Sequence, residues 1–255
     1  MRLASYNVNG IRAAIKKGLL DWLEDADLDV VCFQETKSQP EQIDESLFSN
    51  LGYHAYWHSA EKKGYSGVLT LTKEKPYKVS TGMGIERYDI EGRIVTTQFD
   101  NWSLVNVYIP SGSSGDERHA FKMEFVNDFG PWIQELKKES PNLIVVGDYN
   151  IVHQELDIHN PERRDQPSGY KPDERAWLDE WFDAGGFTDS FRTLYPVEKS
   201  YSWWSYRAGA RAKDKGWRID YISITEDLKP LLTECRMDKE AKHSDHCPVI
   251  ATLDL

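Results

Sequence analysis

Six short polar groups in this chain stand where apolar runs begin or end, and their residue types are those that hold a hard metal ion, a water and a phosphate. The run 3–8 carries Asn7 and leads to Asn9, and the run 30–33 ends at Gln34-Glu35. The run 104–107 contains Asn106 and ends at Tyr108, and the run 143–147 ends at Asp148-Tyr149-Asn150. Two further runs are preceded by such groups: Asp220 before 221–224, and Ser244-Asp245-His246 before 248–253. Taken singly, each has an ordinary reading. Asn9-Gly10 can cap a following helix, Glu35 can be a solvated charge, Asp148 an Asx turn, Asp220 a partner of Arg218, and His246 a structural histidine. Six groups of complementary type are harder to assign to turns alone.

Phosphodiester hydrolysis gives them a common rationale. It needs a cation to neutralise charge on the phosphoryl oxygens, an activated water in line with the leaving oxygen, and donors to the developing charge. Magnesium binds through one or two carboxylates plus waters and substrate oxygens, so Glu35, helped by Asn7 or Asn9, suits it, with manganese as a substitute. Asp148 can orient or deprotonate the attacking water, with Asn150 on the same side two residues along. His246, held by Asp220 or Asp245, can donate to the phosphate. No HExxH, CxxC or nucleophile-elbow motif competes.

These groups need elements to position them. The runs 3–8, 29–33, 67–71, 93–99, 103–109, 142–146, 219–224 and 248–253 are rich in β-branched residues and are predicted strands. Helical spacing links Ile11, Ile15, Leu19 and Leu23; it returns at Phe121, Phe125, Phe129, Trp132 and Leu136, and around Trp177, Leu178, Trp181 and Phe182. The aromatic stripe of the second helix reads as core packing. The stretch 53–109 has no helical pattern between its strands, which predicts antiparallel neighbours. The expected fold is α/β, with two packed mixed sheets covered by helices. In such sheets the C-terminal ends of some strands and the N-terminal ends of others share one edge, so the six groups would meet in one cleft. No linker or repeat interrupts the chain, and residues 1–255 are read as one domain. Turn chemistry concentrates in two loops, 110–115 (PSGSSG) and 159–169 (HNPERRDQPSG).

The 255 residues are 40% hydrophobic and 29% charged, ordinary for a globular protein and enough for a large core. No apolar run is long enough to cross a bilayer, and the N-terminus has no signal-peptide core. Cys32, Cys235 and Cys247 lack metal spacing, so a reducing compartment, the cytoplasm, is expected. The net charge of −11, taken alone, argues against a nucleic-acid partner. Its distribution tempers that argument: Arg207, Arg211, Lys213, Lys215 and Arg218 cluster against a single acid, Asp214.

The phrases SYNVNGIRA (5–13), QETK (34–37), GYSGV (64–68), NVYIP (106–110), GDYNIVHQELD (147–157), YSWWSYRAGARAKDKGWRIDY (201–221) and SDHCP (244–248) carry a resemblance. Over essentially its whole length the chain resembles the exonuclease III type of AP endonuclease, within the endonuclease/exonuclease/phosphatase superfamily. The resemblance implies a four-layered, DNase I-like α/β sandwich. It also implies a magnesium-dependent DNA phosphodiesterase of base excision repair that incises duplex DNA 5′ to abasic sites, leaving a 3′-hydroxyl. Exonuclease activity in the 3′→5′ direction and trimming of blocked 3′ ends belong to the same expectation.

Matched by position, Asn7 and Glu35 fall at the metal, with Asp245 near it. Tyr108 falls on the scissile phosphate, Asp148 and Asn150 on the attacking water, and Asp220 behind His246. Asn9, at a position often acidic in relatives, is placed on the substrate side. Trp203, Trp217 and Ile219 match an apolar pocket for a flipped-out abasic sugar, whereas Trp204 reads as core. Arg207, Arg211 and Lys213 are candidates for contacts to the DNA backbone, or a solvated loop face. Ser111 departs from the asparagine that many relatives place on the phosphate, so a weaker or displaced contact is expected. The expected partner is double-stranded DNA with abasic sites or blocked 3′ ends; the chain is expected to be a monomer without a membrane role. Two rival readings remain: a phosphodiesterase for a lipid, inositol or RNA phosphate, and a DNA-binding protein without catalysis. The first leaves Trp203 and Trp217 unexplained, and the second leaves every matched catalytic position with a competent residue.

Overall fold

A computed structural model describes residues 1–162 and 166–255, so part of the 159–169 loop lies outside the described residues. In chain order the strands are β1 (Arg2–Asn7), β2 (Val30–Gln34), β3 (His54–His58), β4 (Val68–Thr72), β5 (Lys78–Thr81) and β6 (Ile94–Gln98). They continue as β7 (Ser103–Tyr108), β8 (Leu143–Asp148), β9 (Phe187–Asp189), β10 (Asp220–Thr225), β11 (Leu232–Met237) and β12 (Val249–Leu253). Two six-stranded sheets result, ordered β11-β12-β1-β2-β4-β3 and β5-β6-β7-β8-β10-β9. Both are mixed: β1 and β2 run parallel, as do β7 and β8, whereas β12, β4, β6 and β10 join antiparallel. The hairpins β3–β4 and β6–β7 bear out the antiparallel reading of the 53–109 stretch.

Strand alternation sorts the core into layers. Leu3, Cys32, Leu104, Ile144, Val146 and Ile222 point between the sheets. Their neighbours point outward. Ala4, Val31 and Phe33 pack on Ile11, Ala14, Leu19 and Leu23 of the helices Ile11–Ile15 and Leu19–Ala26. Val105, Val107 and Val145 pack on Phe125, Phe129 and Ile133 of the helix Asp116–Glu139, and on Trp177, Leu178 and Trp181 of the helix Pro172–Phe182. The order is helix, sheet, sheet, helix, the expected α/β sandwich of two packed mixed sheets. No helix of the described residues is long and apolar enough to cross a membrane.

The register then sets the site. Asn7 lies opposite Gln34, Tyr108 opposite Asp148, and Asp220 opposite Asp148. The C-terminal ends of β1, β2, β7 and β8 therefore share an edge with the N-terminal ends of β10 and β12. Gly147 permits the close approach that brings Asp148 there, because a Cβ on it would lie 1.8 Å from the Val107 carbonyl oxygen. Two residues inside this edge, Asn106 serves the fold. The Asn106 amide donates to Leu69 O (3.0 Å) and accepts from Gln34 Nε2 (2.8 Å), tying the two sheets together.

Candidate active site

A cleft of about 850 Å³ opens at the shared edge, lined by Asn9, Glu35, Tyr108, Asp148, Asn150, Trp203, Trp217, Ile219, Asp245 and His246 among others. Asn7 and Asp220 lie beneath this wall and are buried. The backbone bends sharply around it: Asn9, Glu35, Lys37 and Asn150 all take positive φ, between 46° and 54°. A left-handed conformation costs a non-glycine residue about 1–2 kcal/mol, and here it turns side chains from strand ends into the cleft.

The centre is a buried proton-sharing set. His246 Nδ1 lies 2.9 Å from Asp220 Oδ2, and His246 Nε2 lies 3.9 Å from Asp148 Oδ2. The sequence left Asp220 and Asp245 as alternative partners of the histidine, and the geometry selects Asp220. Burial works against a charged imidazole, but Asp220, by charge and hydrogen bond, and then Asp148 raise the His246 pKa to about 10. Burial and the Asp220 charge push Asp148 up to about 7, opposed by His246. Asp148 is also fixed sterically: it accepts from Asn7 Nδ2 at 2.8 Å, from the Asn150 backbone N–H at 2.8 Å and from Asn150 Nδ2 at 3.3 Å.

Glu35 accepts from the Tyr108 hydroxyl and pairs with Lys37 Nζ at 3.0 Å. Burial and then the Glu35 charge raise the Tyr108 pKa well above its ordinary value, so the phenol keeps its proton. Asn9 caps no helix. Its amide donates to Asp245 Oδ1 (2.9 Å) and accepts from Lys37. Asp245 also accepts from the Trp203 indole N–H at 3.1 Å, and these donors, after His246, hold its pKa low against burial.

An apolar niche adjoins the polar centre. Trp203 and Trp217 meet edge to face at 5.5 Å and pack with Val152, Ile158, Tyr170 and Ile219. An isolated bridge pairs Trp203 with His246, so niche and histidine are neighbours. Trp204 lies in the core, as expected. Ser111 lines the cleft, with its Oγ 2.9 Å from Ser113 Oγ.

The basic segment divides in two. Arg207, Lys213 and Lys215 are exposed. Arg211 is turned inward instead: it donates to the carbonyls of Ser244, His246, Lys239 and Ala241 and stacks on Trp204. Arg218 is buried, with Asp157 at 2.8 Å and Asp189 at 2.8 Å, so it is not the partner of Asp220. Arg211 clamps the loop that carries His246, and Arg218 anchors the start of β10.

Among the described residues, the cleft brings donors together where a cation could bind. Asp148, Asp220 and His246 each bring a possible ligand atom within 4.8 Å of the others. Glu35 and Asp245 line the same cleft and present carboxylate oxygens, the donor type a hard divalent ion requires.

Known proteins resemble this chain over its length. The family described as "Endonuclease/Exonuclease/phosphatase family" matches residues 4–246. An exodeoxyribonuclease of Bacillus subtilis is 42% identical over 251 residues, 98% of each chain. A DNA-(apurinic or apyrimidinic site) endonuclease of Dictyostelium discoideum is 34% identical over all of this chain and 71% of its own length. A 3′ phosphatase from Neisseria, solved with product DNA hairpin, superposes with a TM-score of 0.93 at 25% identity over the whole of both chains.

Proposed function

The chain belongs to the endonuclease/exonuclease/phosphatase family, and on that premise we propose a magnesium-dependent DNA-repair nuclease that incises duplex DNA 5′ to abasic sites and leaves a 3′-hydroxyl. Trimming of blocked 3′ ends and 3′→5′ exonuclease activity belong to the same proposal. The observation that carries it is the juxtaposition, in one cleft, of the Asp148–His246–Asp220 set and the niche of Trp203, Trp217 and Ile219. Such a niche admits a sugar without a base and excludes a normal nucleotide, which also costs more to unstack. A lipid, inositol or RNA phosphodiesterase would need the charged centre but not the tryptophans. The names of the relatives point to DNA instead.

In this reading Glu35 and Asn7 hold the ion, with Asp245 close by; bound there, it would offset charge on the phosphoryl oxygens. Tyr108 and His246, both carrying protons, donate to the phosphate. His246 therefore cannot serve as the base. Asp148, raised to about 7, has the basicity to take the water's proton near neutral pH, and Asn150 holds that carboxylate in orientation. We propose that residues 1–255 act as one catalytic unit and as a monomer; the single unit is supported by a cleft that draws on residues from Asn9 to His246. The three buried free thiols suit a reducing, cytoplasmic setting.

The test is nicking of a duplex with a single abasic analogue, abolished by chelator and restored by Mg²⁺. A protein that leaves this duplex whole under Mg²⁺ would overturn the proposal. Trp217→Ala is expected to narrow the preference for abasic over undamaged duplex by about tenfold or more, while cutting continues. Unchanged preference would remove the niche from the argument. Arg207→Ala and Lys215→Ala are each expected to reduce the slope of log affinity against log salt by about 0.9. Arg211→Ala is expected to leave that slope unchanged, because its donors face carbonyls. Equal slopes in all three variants and the native chain would place the DNA backbone elsewhere.

A further inference from the structure

Lys122 and Glu174 form an ion pair at 2.7 Å with both side chains fully buried, and no step described so far uses either residue. A lysine is almost never so buried without a specific partner. Glu174 has an ordinary duty: its Oε2 accepts from the Lys171 N–H at 2.9 Å and so caps the helix Pro172–Phe182. Its remaining contacts go beyond capping. Oε2 also accepts from the Gly169 N–H at 2.7 Å, and Oε1 takes the Lys122 ammonium. Lys122 Nζ in turn donates to the carbonyl of Asn150 at 2.7 Å.

Both ends of this chain of contacts touch the cleft. Asn150 holds Asp148, and its left-handed backbone needs outside support. Gly169, at φ +91°, lies against the niche, because a Cβ on it would be 3.0 Å from Trp217 Cζ3 and 3.0 Å from Asn150 O. Its own carbonyl accepts from the Val152 N–H at 2.7 Å, closing the loop onto the segment that follows Asn150. A shift at Gly169 therefore moves the wall behind Trp217, and a shift at Lys122 moves Asn150.

We propose that the buried Lys122–Glu174 pair is a positioning strut that fixes two parts of the cleft at once: Asn150 through its carbonyl, and the Trp217 wall through Gly169. It thereby couples turnover to discrimination. The proposal rests on the abasic-site reading above, and native protein on the abasic-analogue duplex is the control that separates the two.

The experiment compares kcat, KM and the abasic-to-undamaged ratio for native protein, Lys122→Met, and Lys122→Met with Glu174→Gln, at matched folded fraction. Lys122→Met leaves Glu174 charged without its cation and Asn150 O without its donor. It is expected to lose about tenfold in kcat with KM within about threefold, and about tenfold in the ratio. The double variant removes the buried charge, and a glutamine oxygen can still accept from Gly169 and Lys171. Its ratio is expected to return to within about threefold of native, while kcat stays about tenfold low because Asn150 O still lacks a donor. Should Lys122→Met fail to fold, the double variant decides by itself. Native kcat in the folded variants, or loss in proportion to folded fraction alone, overturns the strut. Native protein that does not cut the abasic duplex overturns the underlying reading instead.

Discussion

Asp148→Asn is expected to fold, to bind the abasic duplex, and to cut it at least about 10³-fold more slowly than the native chain. In the proposed reading the Asp148 carboxylate takes the proton from water, since its pKa is raised to about 7 while that of His246 is raised to about 10. An asparagine has the same shape. Its oxygen can keep the 2.8 Å contact with the Asn150 N–H, but its amide nitrogen would face the donors Asn7 Nδ2 and His246 Nε2. That conflict opposes stability, but the charge that the variant removes opposes it more. Burial, then Asp220, raises native Asp148 from 3.8 to about 7. For an acid, that sign means stability is lost as pH climbs from the unfolded pKa through the folded one. Above it, the ionised group opposes folding by up to roughly 4 kcal/mol. A neutral side chain avoids this, so at pH 8 the thermal midpoint should match the native one or exceed it by a few degrees. Single-turnover incision and a melting curve check both halves. Turnover within tenfold of native would remove Asp148 from the role of base.

The strands that could be read from the sequence share a physical property. All eight predicted runs are interior strands, and the four that escaped notice, β3, β5, β9 and β11, are the four edges of the two sheets. An interior strand such as LIVVGD or VVCFQ is buried along its length and so is written in apolar residues. An edge strand need not be: Lys78–Thr81 is exposed at every position, and Leu232–Met237 buries only Leu232 and Cys235. Their pairing is decided by a neighbour far along the chain, which local composition does not record.

The same distinction runs through the cleft. Asn7, Glu35, Asp148 and His246 were legible because each lies at or within three residues of an end of an interior strand, so the register that builds the sheet also gathers them. Arg211 was misleading, because a cationic loop residue reads the same whether it faces solvent or four carbonyls. Lys122 and Glu174 left no signal at all. They lie on separate helices 52 positions apart, and each looks like a solvated helix charge until the fold buries the pair. Asn106 shows the reverse error, a polar group in the right place whose amide is committed to joining the sheets.

The carboxylate behind His246 gives the other large effect. Asp220→Asn keeps an oxygen 2.9 Å from Nδ1, so the ring can hold its orientation, but the charge is gone. Two titrations should move together. For His246, burial pushes the pKa down and Asp220 is the leading influence that raises it to about 10, so losing that charge lowers it. The rate, which needs the imidazolium, should then fall at a lower pH than in the native chain. For Asp148, Asp220 is the leading charge that raises its pKa, so the base should become available at lower pH as well. The bell-shaped profile of kcat is thus expected to shift toward acid on both limbs. Activity at pH 8–9 should fall about 10²-fold or more, and part of it should return near pH 6. The measurement is kcat on the abasic-analogue duplex from pH 5.5 to 10 for both proteins. A uniform loss with unmoved limbs would mean that Asp220 only orients the ring, while an unchanged profile would mean that the imidazole acts neutral and Tyr108 is the principal proton-bearing donor.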